Sequence, residues 1–429
     1  MTTEQVARVT FRDVFAIAEF RALWLAQLLS MAGDQLARVA LTVLVYDRTR
    51  SALLAAITFV ASVVPTFVGG VTLAWLADRY PRRGVMIVCD LVRCALVLVM
   101  AIRGMPVAVM VVLLFVVTLV GAPFTAARAA VYPDVLVGDK YVVGTAVTLT
   151  TNQFAQVIGF AVGGAIAGLL GTSQALVVDA VTFAGSALIV RAWVLNRPAP
   201  ESLVSANIGR NTGRRGFAAR QNGLGSAVRL VFGNPVLRTS MLFGWLAAFY
   251  NSPEGVVTPL AHSLGGGATS VGVILAAQAL GETFGALVLS RFVAPARRFR
   301  LMGPLAIASC SVLLLFAFRP GLIASLVLLC ISGFCGAYQI AANAAFVSAT
   351  PHDRRSQAFG LAQGGMSFGQ GMVMIIAGAA AEAMHPSTII AVCGGIGSLA
   401  AVALAGSWSH RAQAVSNELV SIKPSRRYA

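Results

Sequence analysis

Asp34 and Arg38 stand four residues apart in the middle of an otherwise apolar run, so they share one face of a helix. An ionisable side chain inside hydrocarbon costs at least about 2.5–3.5 kcal/mol on insertion scales and needs a reason to be there. Two chemistries supply one. Asp34 can bind a proton or the cationic group of a solute, with Arg38 tuning its acidity, or the two can form a structural pair that neutralises both charges. Glu254 lies in Asn251-Ser252-Pro253-Glu254-Gly255, a run that breaks regular helix hydrogen bonding and is read as a substrate or proton-coupling site, an outer gate or a structural break. Glu282, one turn after Gln278, is another embedded acid, read either as a coupling group or as the partner of a loop arginine. Asp90 and Arg93, close to the Arg82-Arg83 loop, read as structural, as does Asp179. Gln35, Gln153, Trp245, Tyr250, Gln278, Tyr338 and Asn343 are candidates for lining an amphipathic cavity for an organic solute.

Other chemistries find no footing. His262, His352, His385 and His410 fall at helix ends, in loops or in the tail, which leaves no buried histidine for general-base work. The six cysteines all sit in apolar stretches without a metal-type CxxC pair, so neither a disulfide framework nor a metal site is expected. No GxxxxGK[ST] sequence is present, so this chain does not draw on ATP, and no cofactor is expected. The net charge of +16 could suggest nucleic acid, but the basic residues, all Arg except Lys140 and Lys423, cluster in short segments between apolar runs. That is the pattern of loops on a membrane protein, with lipid as the partner rather than nucleic acid.

The elements that must position these residues are membrane spans. The chain has 429 residues, 58% hydrophobic and 11% charged, less than half the charge of a soluble domain. Apolar runs long enough to cross a bilayer, about 20 residues each, fall at 20–46, 53–77, 84–104, 106–127, 142–171, 173–194, 238–261, 269–291, 301–318, 321–345, 357–381 and 387–408. With both termini cytoplasmic, Arg48, Arg50, Arg103 and Arg319 face outside and Arg38 and Arg93 lie within spans; every other Lys and Arg is cytoplasmic. The N-terminus, mixed and charged, reads as leading into a retained first helix rather than a cleaved signal. The expected organisation is a six-helix bundle over 1–195, a cytoplasmic linker over 196–236, a second six-helix bundle over 237–410 and a cytoplasmic tail over 411–429. Span five carries Gly159-xxx-Gly163 and Gly164-xxx-Gly168, and span eleven carries Gly360-xxx-Gly364 and Gly365-xxx-Gly369. Small residues four apart let helices approach closely, and their matched places suit two bundles rocking against each other or tight static packing.

The loop after span two reads Ala74-Trp75-Leu76-Ala77-Asp78-Arg79-Tyr80-Pro81-Arg82-Arg83. It resembles the major facilitator superfamily pattern Gly-x-Leu-Ala-Asp-Arg-x-Gly-Arg-Arg, with the acid and three arginines in place and both glycines replaced. The opening Phe20-Arg21-Ala22-Leu23-Trp24, Gly33-Asp34, Asp90 with Arg93, and Arg128 with Pro133-Asp134 after span four resemble its drug-exporter branch, which includes the enterobactin exporter and macrolide-efflux-like pumps. The resemblance implies an all-α membrane protein of twelve transmembrane helices in two six-helix bundles with pseudo-twofold symmetry. It also implies a cytoplasmic latch in which Asp78 pairs, Arg79, Arg82 and Arg83 bridge, and Asp90, Arg93 and Arg128 stand alongside. In that family the span-five glycine motif is associated with antiporters, although its usual Pro is Phe160 here.

The expectation is therefore a monomeric, non-enzymatic secondary transporter in the inner cell membrane. It would export small hydrophobic or amphiphilic compounds by alternating access in exchange for protons. Export of one siderophore or self-made metabolite, import, and lipid flipping stand as alternatives within the fold. A non-transporting sensor or enzyme would need a folded soluble module, for which the linker and tail are too short and polar.

Overall fold

Hydrocarbon offers no partner to a backbone amide, so a chain this apolar must close its hydrogen bonds within helices. The computed structural model describes residues 10–197, 223–351 and 354–421, and every regular element among them is helical. Most of the expected linker (198–222), His352 and the tail from 422 lie outside the described residues.

In the first half, α1 (Phe11–Phe15) precedes α2 (Ala18–Thr49), the first span. Span two is split into α3 (Ala52–Ala61) and α4 (Val64–Thr72), followed by the short α5 (Leu76–Arg79). Then come α6 (Arg82–Met100), α7 (Val107–Val135), α8 (Asp139–Leu170) and α9 (Thr172–Trp193). Gly171, at φ +85°, is the single residue that turns α8 into α9, a conformation open to glycine at no steric cost. Span four runs well past its expected end at 127. Arg128 and Pro133 look like a terminus in sequence, yet both lie inside α7.

The second half repeats the count. α10 (Gly223–Gly233) leads to span seven, which is broken into α11 (Pro235–Trp245), α12 (Ala247–Tyr250), α13 (Ser252–Gly255) and α14 (Val257–Ser263). α15 (Ala268–Phe292) is span eight. α16 (Pro295–Ser311) with a 3₁₀ continuation over Val312–Phe318 is span nine, and α17 (Leu322–Gly336) with α18 (Tyr338–Ala349) is span ten. α19 (Arg355–Ala380) and α20 (Pro386–Ser421) complete twelve, the last running ten residues or so into the expected tail. Among the described residues nine of these spans are long and apolar enough to cross a membrane by composition alone. The other three are α6, with four charged residues, the broken span seven, and the polar α19.

Packing divides the chain into two units. One holds the chain up to Leu44 and from Ala61 through α9; the other holds Val45–Val60 and everything from α10 onward. Within the first unit, one apolar cluster gathers Phe20, Leu23, Ala26, Met86, Cys89 and Phe124, and another gathers Ala37, Leu41, Val97, Leu114 and Phe183. On α2 and α6 the residues between these clusters are Asp34, Asp90 and Arg93. The embedded charges thus occupy a polar layer with apolar packing above and below it.

Candidate functional site

Arg93 is the centre of that layer. It is 3% exposed, and its guanidinium bonds the Asp34 carboxylate through Nη2 and Ser30 Oγ through Nη1, the latter at 2.9 Å. Asp90 Oδ1, one turn back on α6, lies 3.9 Å from the same Nη1. The Phe183 ring lies 4.0 Å from the Arg93 Cζ, and Gly121 on α7 leaves room for the guanidinium to lie flat. A fourth helix adds Asp179, fully buried on α9, whose carboxylate rests against Gly33 beside Asp34. A Cβ at Gly33 would overlap both Asp179 Oδ1 and Thr182 Oγ1, so glycine is what lets α9 bring its acid there. Arg38 completes the set, donating through Nη2 to the Ser62 carbonyl at 3.3 Å and facing the Phe160 ring at 5.8 Å.

These groups open on a cavity of about 100 Å³ lined by Gln27, Ser30, Asp34, Arg38, Arg93 and Asp179 together with apolar side chains of α6 and α7. Asp34 faces it 39% exposed, whereas Arg93 behind it is sealed. The arrangement presents a partly exposed carboxylate to the cavity, with its countercharge Arg93 bonded to it from the buried side.

Two sequence readings change. The direct bond to Asp34 comes from Arg93, on another helix, while Arg38 four residues on adds its charge; the i, i+4 rule sees only one helix. Asp90 and Arg93 accordingly belong to this embedded cluster and not to the basic loop. At the loop itself, Arg82 bonds Asp134 Oδ2 at 2.7 Å and the Ala130 carbonyl at 2.8 Å, and Arg83 bonds the Arg191 carbonyl. Asp134, not Asp78, is the acid that Arg82 meets. Asp78 and Arg79 are exposed on α5, with Arg79 over the Trp75 ring. Arg128 is buried within α7, 5.6 Å from the Tyr132 ring, rather than on a loop.

In the second unit the expected cavity residues do other work. Proline and poor helical geometry in span seven free backbone carbonyls, and side chains satisfy them. Tyr338 Oη donates to the Phe243 carbonyl at 3.0 Å, Gln339 to Gly244 at 3.0 Å, and Gln278 to Tyr250 at 3.4 Å and to Asn251 Oδ1 at 2.7 Å. Tyr338, Tyr250 and Gln278 are therefore buried braces of the break rather than cavity lining. Trp245 donates to the Ala362 carbonyl at 3.0 Å and packs on Gly365. Gln35 is buried against Gly159, Gln153 is half-buried, and Asn343 is exposed. Glu254 and Glu282 are half-buried and close enough to repel each other.

The glycines pack within each half. A Cβ at Gly159 would lie 3.0 Å from Gln35 and one at Gly163 would lie 2.8 Å from Leu36 Cα, so span five closes on span one. Gly365 closes span eleven on span seven. Gly164 is buried, Gly168 exposed and Gly364 half-buried. The sequence marked Gly33 only through its resemblance to the exporter branch, and did not single out the pair Gly281 and Gly285, whose missing side chains let α15 meet the α17 backbone at Cys330 and Phe334.

Twelve spans, matched glycine contacts in the two halves and an embedded ion cluster are the marks of a transporter. The family model described as Major Facilitator Superfamily matches residues 23–258 and 255–423. The chain belongs to the major facilitator superfamily. This superfamily member is a multi-pass membrane transporter and not an enzyme. No curated protein matches its sequence. Among solved structures it is similar to a POT family transporter in complex with a thioalcohol-conjugated peptide (10% identity, TM-score 0.71, covering 92% of this chain and 96% of that one). It is also similar to a POT peptide transporter in complex with sulfate (15% identity, TM-score 0.71, 96% and 97% covered). A third is the bacterial homologue of the human lysosomal transporter Spinster, inward-facing and unoccupied (15% identity, TM-score 0.62, 96% and 99% covered). At these identities the likeness is one of fold.

Proposed function

We propose that this transporter exports small hydrophobic or amphiphilic organic compounds in exchange for protons, by alternating access, with Asp34 as the group for which proton and solute compete. The observation that carries the reading is a charge count. The embedded layer of the first unit holds three acids, Asp34, Asp90 and Asp179, against two arginines, Arg38 and Arg93. With every group ionised one negative charge is left over, and an uncompensated charge in hydrocarbon costs at least about 2.5 kcal/mol. One bound proton makes the layer neutral. Of the two acids lining the cavity, Asp34 is 39% exposed and Asp179 fully buried, so a cationic solute arriving there meets Asp34, supplies the same charge and releases the proton. When Asp34 is neutralised, Arg93 is left to Asp90 and Asp179, an alternative pairing within the same helices.

The direction follows from membrane placement. The arginine-rich loops support cytoplasmic termini, and in an inner membrane with an inward proton gradient exchange for protons would move solute out. The drug-exporter features at Phe20–Trp24 and Gly33-Asp34 support this substrate class. Nothing in the reading calls for more than one copy of the chain.

The test is a proton gradient in inverted vesicles energised by respiration. Adding a lipophilic cation is expected to dissipate the gradient through the wild-type protein and not through Asp34→Asn. The reading fails if lipophilic cations leave the gradient intact in vesicles that contain folded protein. Dissipation by di- or tripeptides instead would favour the substrates named for the peptide-bound neighbours.

A further inference from the structure

Val45–Val60, the end of span one with the start of span two, belongs by its packing to the second unit, although the chain on either side belongs to the first. Three contacts hold it there. Asp47 Oδ1 meets His262 Nε2 at 2.9 Å, with the Tyr46 ring centred 4.8 Å from the imidazole. Glu382 accepts from the Ser51 hydroxyl at 2.7 Å and from the Leu53 amide at 2.9 Å. Ala52, Leu53 and Ala56 rest on Gly378, where any side chain would collide with Ala56.

The histidine contact has a proton requirement set by its geometry. His262 Nδ1 faces the Thr258 carbonyl at 2.9 Å, an acceptor, and Nε2 faces a carboxylate, also an acceptor when ionised. A neutral imidazole has one N–H and can serve only one of them. The full set of bonds therefore exists only when the His262–Asp47 pair carries one additional proton. The pair is open to solvent, His262 being 23% and Asp47 48% exposed, so that proton comes from the aqueous phase at this end of the protein.

We infer that His262 and Asp47 form a second proton-binding site, distinct from the embedded layer, whose occupancy fixes Val45–Val60 onto the second unit. Binding a proton docks the segment; losing it removes the ion pair and leaves Glu382 and the Gly378 contact to hold it alone. The inference rests on the proton-coupled reading for its place in a cycle, since this end lies away from the arginine-rich loops and faces the proton-rich side. The charged neighbours of the pair are Arg48 and Arg50, one and three residues after Asp47, and both keep their charge across the pH range of the test. Tyr46 and Asp47 come from α2; α15 and α20, which also pack on α14, bring no charged residue over Ala268–Ala277 or Pro386–Ile396. Glu254 lies two turns back along span seven and His385 just before α20. Glu382 acts in the opposite sense. The Leu53 amide and the Ser51 hydroxyl hold it below the usual carboxylate range, so its grip is present at neutral pH and lost as pH falls through that lowered value. Docking thus needs both the shared His262–Asp47 proton and the ionised Glu382 carboxylate, and weakens in acid as Glu382 is protonated.

The experiment places a trifluoromethyl label on Leu54→Cys, with the six native cysteines replaced, and reads docked and undocked populations by fluorine NMR in nanodiscs. No solute or gradient is present, so the result is independent of whether the exporter reading holds. The docked-to-undocked ratio is expected to fall, by up to about tenfold per pH unit, as rising pH removes the shared proton. That alkaline limb is expected to vanish in His262→Gln and, independently, in Asp47→Asn, and to survive in Glu382→Gln. A ratio that stays constant from about pH 6 to about pH 8.5 in the parent protein, or a limb that persists in both His262→Gln and Asp47→Asn, would overturn the inference.

Discussion

The two halves of this transporter share a scaffold and differ in what they bury. Span five closes on span one through Gly159 and Gly163, and span eleven closes on span seven through Gly365. Spans two and four meet at Gly69 against Leu119, as spans eight and ten meet at Gly281 and Gly285. Inside that common frame the polar layer of the first half holds five charges of both signs, whereas the embedded charges in the middle of the second half's spans are the two acids Glu254 and Glu282. The second half instead holds a broken span seven whose carbonyls are covered by Tyr338, Gln339 and Gln278. The difference teaches that the repeat fixes backbone approach, while the mixed-sign ion cluster and the broken helix fall in opposite halves.

Removing the hub of the first half is the strongest way to break that comparison. Arg93→Ala leaves Asp34, Asp90 and Asp179 with Arg38 alone, and stripping one partner from a buried pair costs about 3 kcal/mol or more. A clear drop in the thermal unfolding midpoint is expected, with Arg93→Lys recovering part of it; Glu282→Gln in the second half should leave the midpoint nearly unchanged.

Closing the shared helix contacts comes next. Gly281→Val drives a side chain into the Cys330 carbonyl, which is backbone and cannot rotate away, and should destabilise by about 2–3 kcal/mol. Gly33→Ala meets the side chains of Asp179 and Thr182, which can shift, so about 1 kcal/mol is expected from the same measurement, with a larger effect on proton coupling. Equal losses would show that the polar layer is no more yielding than the second half's packing.

Gln278→Leu deprives Asn251 and the Tyr250 carbonyl of their donor and should destabilise by about 1–2 kcal/mol without changing proton stoichiometry. The smallest effect belongs to the basic loop. Arg82 and Asp134 are 22% and 42% exposed, so Arg82→Ala should shift stability by less than about 1 kcal/mol while changing the rate of transport.

The sequence shows the spans plainly because length and hydropathy are local properties, and the family loop at Asp78–Arg83 is contiguous. Partners are not local. Asp34 and Arg93 are 59 residues apart, and nothing in either helix announces the other. The run around Pro253 is legible as a break, but the side chains that cover its carbonyls, Gln278, Tyr338 and Gln339, lie on other helices and are not announced by it. Arg128 shows the converse error: an arginine followed by Pro133 looks like a helix end, yet burial against Tyr132 keeps it inside α7.

The most direct measurement of the central claim is the infrared band of protonated carboxyl groups in the purified transporter at neutral pH. Three acids facing two arginines should hold one proton among them. Each of Asp34→Asn, Asp90→Asn and Asp179→Asn removes one negative charge and should remove one carboxyl's worth of that band. A band of the same intensity in the wild type and in all three variants would contradict it, showing that the embedded layer binds no proton and that coupling lies elsewhere.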